Sequence, residues 1–118
     1  MSIGFDEALA TCRRVSAPDL TLWIERRWVR PHHTGPEPGR GWSFSAIDLA
    51  RIELICDLRH DLAIDDEALP VVLSLIDTVH GLRRRLALLG EALAHLPPET
   101  RAALADQLRR LDTERDAD

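Results

Sequence analysis

The chain has no lysine, no tyrosine and only two cysteines, and its aromatic content is 4%. So few aromatics argue against an extensive β-sheet, whose strands favour aromatic and β-branched side chains. Cys12 and Cys56 do not form a Cys-x-x-Cys pair. Two separated thiols read as reduced core residues of a cytoplasmic protein. No apolar run approaches the roughly 18 residues of a membrane span, so no membrane association is expected. The first seven residues lack the basic and apolar regions of an export signal. No glycine-rich loop leads into Lys-Ser or Lys-Thr, so no phosphate cradle is indicated. No serine or cysteine is set beside a base in a pattern that suggests a nucleophile. No cofactor is expected, and the chain is not expected to be an enzyme.

What is present is ordinary for a folded chain: 45% hydrophobic and 30% charged residues in 118. That length suits one domain with an appendage. All 15 basic residues are arginine, a skew that reflects coding more than physical need. The net charge of −5 argues against a chain devoted to nucleic acid, which is gripped by clustered positive charge.

Phe5, Ala8, Leu9 and Cys12 recur at helical spacing. Ser16-Ala17-Pro18-Asp19 is a helix start, with Ser16 as the cap and Pro18 in the first turn. The helix it opens runs through Leu20, Trp23, Ile24 and Arg27. Two helices so close together have helix-turn-helix spacing. Trp28-Val29-Arg30 predicts a short strand, residues 32–41 (HHTGPEPGRG) a loose loop, and Trp42-Ser43-Phe44 the returning strand. Together these make a wing.

Ser45 opens a third helix with Asp48 as its capping-box partner. Ile47, Leu54, Ile55 and Leu58 are its expected buried stripe, and a break is expected near residues 62–64. Asp65 or Asp66 caps the next helix, with Pro70 in its first turn. Leu75, Val79, Leu82, Leu86, Leu89, Leu93 and Leu96 then follow alternating steps of four and three. That is a heptad seam, read as a homodimerisation surface, although it could close back on the domain instead. Pro97-Pro98 ends it. Leu104, Leu108 and Leu111 mark a last short helix, followed by a polar tail expected to fray.

Charge is segregated along the chain. Residues 1–44 carry six Arg and five acids, residues 45–81 two Arg and eight acids, and residues 82–118 seven of each. The middle island comprises Asp48, Glu53, Asp57, Asp61, Asp65, Asp66, Glu67 and Asp77. Charge runs on helices are ordinarily solvated faces. The competing reading is a docking surface for a basic partner, since complementary fields speed encounter and reject wrong partners. Asp57, Asp61 and Asp65 would share one side of an unbroken helix, and a break near Ala63 would detach Asp65.

The order helix-turn-helix, wing, two helices, coiled coil resembles the MerR superfamily. Residues 16–27 (SAPDLTLWIERR) stand where that family has its S-x-x-T-L-R-Y-Y-E recognition helix. Trp28-Val29-Arg30-Pro31 and Gly41-Trp42-Ser43-Phe44 resemble the entry to and return from its wing. Residues 46–58 resemble its D-L-x-R-L-x-x-I-x-x-L helix. Where DNA-binding members carry arginines that hold phosphates, this chain has Trp23 and Ser43, which should weaken DNA binding whatever the sequence.

The CbpM branch of chaperone modulators is more similar. Residues 58–65 (LRHDLAID) are close to its L-R-H-E-L-A-L-D, residues 71–77 (VVLSLID) to its V-A-L-T-L-M-D, and Trp42-Ser43-Phe44 to its wing return. This resemblance covers roughly residues 5–96. It implies a bacterial modulator that binds the J-domain of CbpA, a DnaJ-like co-chaperone, and blocks its work with DnaK. J-domains present a basic helix, which an acidic face would suit.

The expected fold is all-α with a two-stranded wing, a winged helix-turn-helix followed by a long coiled-coil helix. Its parts are residues 1–66, 67–96 and 97–118. The expected partner surface is Asp57, Arg59, His60, Asp61, Asp65, Asp66 and Glu67. The alternative function is a dimeric MerR-like transcription regulator contacting DNA through Arg26, Arg27, Arg30 and Arg40. His60 reads as a surface residue or a contact. His32-His33 lacks the further ligands a metal site needs. Trp23, Trp28 and Trp42 read as core and wing packing before binding anchors. Arg83-Arg84-Arg85 reads as a solvated helix face.

Overall fold

A computed structural model describes residues 2–35 and 41–116. It divides into two units, residues 1–75 and 76–118. The first holds a helix-turn-helix, a small wing and a further helix. α1 spans Phe5–Thr11 and α2 spans Ala17–Glu25. Ser16 caps α2 as expected, accepting a hydrogen bond from the Asp19 amide at 3.2 Å. β1 (His32–His33) pairs antiparallel with β2 (Trp42–Ser43), His32 opposite Ser43 and His33 opposite Trp42. α3 spans Ala46–Cys56 and continues into a π-helical turn, Asp57–Asp61. α4 spans Leu69–Ala94 and α5 spans Pro98–Asp116. Mostly helical, with a two-stranded wing and a long late helix, this is the fold class the sequence predicts.

The first wing strand lies later than its sequence suggests. Trp28-Val29-Arg30 is not a strand but the exit from α2. The Trp28 amide reaches back to the Trp23 carbonyl at 2.9 Å, and the Arg27 amide to that of Ile24 at 3.1 Å. These paired bonds are a Schellman motif, which requires a left-handed residue between them. Arg27 supplies it at φ 62°. Trp28 and Val29 are thereby turned into the core, 6% and 1% exposed. The strand falls instead on His32-His33, within the stretch expected to be loop. Across the wing, Thr34 donates its amide to the Gly41 carbonyl at 2.9 Å. Gly41 itself sits at φ 78°, and a Cβ there would come within 2.9 Å of the Thr34 hydroxyl.

The N-terminal segment joins the wing, a pairing without a local sequence signal. Ile3 and Phe44 exchange both backbone hydrogen bonds, at 3.0 and 2.8 Å. Phe5 packs on Trp42 and Phe44 with ring centroids 5.5 and 6.4 Å apart.

Ser45 and Asp48 form the reciprocal capping box, bonding each other's backbone amides at 3.2 and 2.8 Å. The buried stripe of α3 is Ile52, Ile55 and Cys56, continued by Leu58. Ile47, expected in that stripe, is instead 82% exposed. Helical spacing back from Ile52 and Cys56 arrives at Leu49, and Ile47 lies on another face. The break falls where expected. The Leu62 amide bonds the Asp57 carbonyl, the Ile64 amide reaches the Leu58 carbonyl at 2.9 Å, and Ala63 adopts φ 52° between them. Among the described residues, every buried core residue lies in the first unit, from Ala8 to Leu73.

In the second unit α5 runs to Asp116, so the tail expected to fray is helical over most of its length. Arg109 pairs with Asp106 one turn earlier, and the Thr113 hydroxyl bonds the Arg109 carbonyl at 2.8 Å. No helix among the described residues is long and apolar enough to cross a membrane.

Candidate functional site

Most of the acidic island resolves into two clusters. The first lies along α3 and the π turn. Glu53, Asp57 and Asp61 follow at steps of four and converge on the guanidinium of Arg14, at 2.7, 2.6 and 3.6 Å. Hydrogen bonds to Glu53 and then Asp57 hold Arg14 more firmly protonated than an ordinary arginine. Three carboxylates around one guanidinium keep a net negative charge. They also stay in water, with side chains 44, 52 and 67% exposed. Sequence alone does not reveal Arg14, which comes from the link between α1 and α2. Asp65 does not join this row. The turn at Ala63 redirects the chain, and Asp65 instead caps the approach to α4, accepting from the Ala68 amide at 2.8 Å.

The second cluster centres on Asp66. Its carboxylate is 3.2 Å from Arg59 and 3.9 Å from Arg26. Arg59 also lies over the Trp23 ring at 5.5 Å and approaches Asp19 at 4.0 Å. It therefore faces inward, tying α2 to the π turn, whereas its neighbour His60 is exposed. Two shallow hollows meet at Asp66. One, of about 560 Å³, is lined by Arg26, Trp28, Asp66, Glu67 and Pro70. The other, of about 420 Å³, is lined by Arg59, His60, Ala63, Ile64, Asp65 and Asp66. Of the expected partner residues, Arg59, His60, Asp65, Asp66 and Glu67 thus gather around these hollows, while Asp57 and Asp61 surround Arg14.

The arginines of the alternative reading cluster at the end of α2. Arg26, Arg27 and Arg30 are all exposed. Arg26 lies over the Trp28 ring at 5.2 Å, and the Arg30 side chain donates to the Arg27 carbonyl at 3.4 Å. Arg40 lies outside the described residues. Trp23, in the recognition-helix position, is 1% exposed and cannot reach a duplex groove. Arg51, a further residue not anticipated, donates to the Trp28 carbonyl at 2.9 Å and braces the turn after α2.

His32 and His33 stand on the exposed wing strand, and among the described residues no three metal-capable side chains are grouped. Both thiols are core residues. Burial first, then a hydrogen bond with Glu53, pushes the Cys12 thiol up to about 11, and burial likewise raises Cys56. Along α4, Leu75, Val79, Leu82, Leu86 and Leu89 are exposed by 45–67%, and Leu93 is half-buried.

The sequence model of the MerR helix-turn-helix family of regulatory proteins matches residues 7–91. No curated protein and no solved structure matches the chain.

Proposed function

The chain belongs to the MerR helix-turn-helix family of regulatory proteins, and on that premise we propose that it is a non-catalytic chaperone modulator. In this reading it binds the J-domain of a CbpA/DnaJ-like co-chaperone in the cytoplasm and inhibits its action with DnaK. The observation that carries the proposal is the exposed row of Glu53, Asp57 and Asp61 along the end of α3 and the π turn. Single π turns occur frequently at functional sites, and this one opens the segment most similar to the CbpM branch. A row of carboxylates suits the basic helix of a J-domain. The buried, protonated thiols offer no ready nucleophile.

Calorimetric titration with the cognate J-domain tests this proposal. The expected result is saturable binding that weakens as salt rises and weakens further in an Asp57→Arg/Asp61→Arg double variant. Asp65→Asn is the suitable companion, because asparagine can also cap a helix whereas arginine would remove the cap. Unchanged affinity in the double variant would refute the acidic-face model even where binding occurs.

A dimeric DNA-binding regulator is the second reading. A specific observation favours it: Arg27 occupies a left-handed backbone position that glycine would take without strain, and it keeps an exposed guanidinium at the end of α2. Gel-shift with nonspecific DNA at low salt tests it, since phosphate-driven binding fades steeply as salt rises. Both readings include self-association along the α4 seam.

A further inference from the structure

Two guanidinium groups share the Asp66 carboxylate, and they are held unequally. Arg59 lies 3.2 Å from it and 5.5 Å over the Trp23 ring, with its side chain 26% exposed. Arg26 lies 3.9 Å from it and 5.2 Å over the Trp28 ring, with its side chain 44% exposed. The arrangement is the same in both: a guanidinium over an indole, with a carboxylate close by. That combination suits arginine, whose flat, weakly hydrated head stacks on aromatic faces. Arg59 is built into the fold. Arg26 is held more weakly, because an exposed ion pair at this distance contributes little. Arg26 is also the cap residue at the C-terminal end of α2, where its positive charge stays favourable once the side chain swings away.

The Arg26–Trp28 contact lines the larger hollow, of about 560 Å³, together with Asp66, Glu67 and Pro70. Glu67 brings a second carboxylate to this place, and among the described residues it has no ion-pair partner. Across the two adjoining hollows Arg26 and Arg59 stand against Asp65, Asp66 and Glu67. Negative charge is thus in excess, and the excess grows when Arg26 leaves. The shallowness of the hollow selects the kind of occupant. Free small ligands are ordinarily enclosed over most of their surface, whereas a side chain carried on a folded partner needs only a seat.

We infer that this hollow seats an arginine side chain of the basic protein partner, and that Arg26 is its internal placeholder. The incoming guanidinium takes the position of Arg26 over Trp28 and gains Glu67 as well as Asp66. Arginine and tryptophan are the residues in which interface energy concentrates. The seat rests on the J-domain reading of the function and adds an anchor to it, distinct from the carboxylate row around Arg14. A placeholder has a signature opposite to that of a structural ion pair: removing it strengthens binding.

Titration of the isotope-labelled full chain with acetyl-arginine amide tests this, with acetyl-citrulline amide as the uncharged control. The Trp28 indole N–H resonance reads the hollow, and that of Trp42, on the wing, reads general effects. The arginine amide should move the Trp28 resonance saturably and leave Trp42 in place, and the citrulline amide should move neither. Arg26→Gln should lower the dissociation constant about fivefold, and Glu67→Gln should raise it about threefold. Arg13→Gln removes the same charge outside the hollow and should change it by less than about twofold. Equal response to the two amides overturns the seat. So does an Arg26→Gln chain that binds no more tightly than wild type, or an equal tightening by Arg13→Gln. Saturating J-domain should abolish the Trp28 response to the amide. If J-domain binds while the amide still moves Trp28 as before, the seat is not where the partner anchors, and the functional reading survives. If the amide binds and no J-domain does, the functional reading falls and the J-domain is overturned as the source of the arginine.

Discussion

Replacing Arg27 by glycine should stabilise the first unit. Arg27 sits at φ 62° between the two hydrogen bonds that close α2. A left-handed conformation costs a residue with a Cβ about 1–2 kcal/mol. Glycine escapes that cost but loses more backbone freedom on folding, about 0.5–1 kcal/mol. The net expectation is a gain of about 0.5–1 kcal/mol, or about 2–6 °C in Tm for a domain of this size. Urea unfolding followed by tryptophan emission reads it, because Trp23 and Trp28 flank the turn and are buried. The midpoint should rise while the denaturant slope stays constant. Arg27→Ala separates backbone from side chain: alanine meets the same strain, so its midpoint should stay near wild type. A glycine variant no more stable than wild type, or an alanine variant that matches the glycine gain, would refute the strain argument.

Three further outcomes follow from the charges and the thiols. Arg14→Gln removes the internal cation shared by Glu53, Asp57 and Asp61; J-domain affinity should rise and its salt dependence steepen, as read by titration at two ionic strengths, and a loss of affinity would show that Arg14 itself makes the contact. Cys12, held up to about 11 by burial, should be about a thousandth thiolate at pH 8 and react with a disulfide reagent far more slowly in the native chain than in urea. Because the folded value lies above the ordinary 9.0, the stability linked to this thiol is present below pH 9 and should be lost as pH rises from about 9 to 11, a decline that urea midpoints across that range would show.

The parts of the fold that depend on neighbours along the chain are legible in the sequence. Ser16 and the Ser45–Asp48 box declare their helix starts because caps are local, and Pro97-Pro98 marks the end of α4 for the same reason. The turn after α2 is not legible. Its left-handed position is normally signalled by glycine, and Arg27 gives no such cue, so Trp28 and Val29 read as a strand. Ile47 shows the limit of hydrophobicity without phase: it is apolar yet lies off the face set by Ile52 and Cys56. The Ile3–Phe44 bridge and the Arg14 ion pairs join residues remote in sequence, for which a single chain offers no signal. The acidic character of residues 45–81 is plain from composition. Its division between Arg14 and Asp66 follows from the π turn and the left-handed Ala63.

Whether the exposed carboxylates of the π turn face a basic protein partner decides the function. The most direct measurement compares the affinity of the intact chain for its cognate J-domain and for duplex DNA in one buffer at physiological salt. Saturable J-domain binding that Asp57→Arg/Asp61→Arg weakens at least tenfold is expected, with DNA bound only at low salt. Tight, sequence-selective DNA binding together with no measurable J-domain affinity would contradict it.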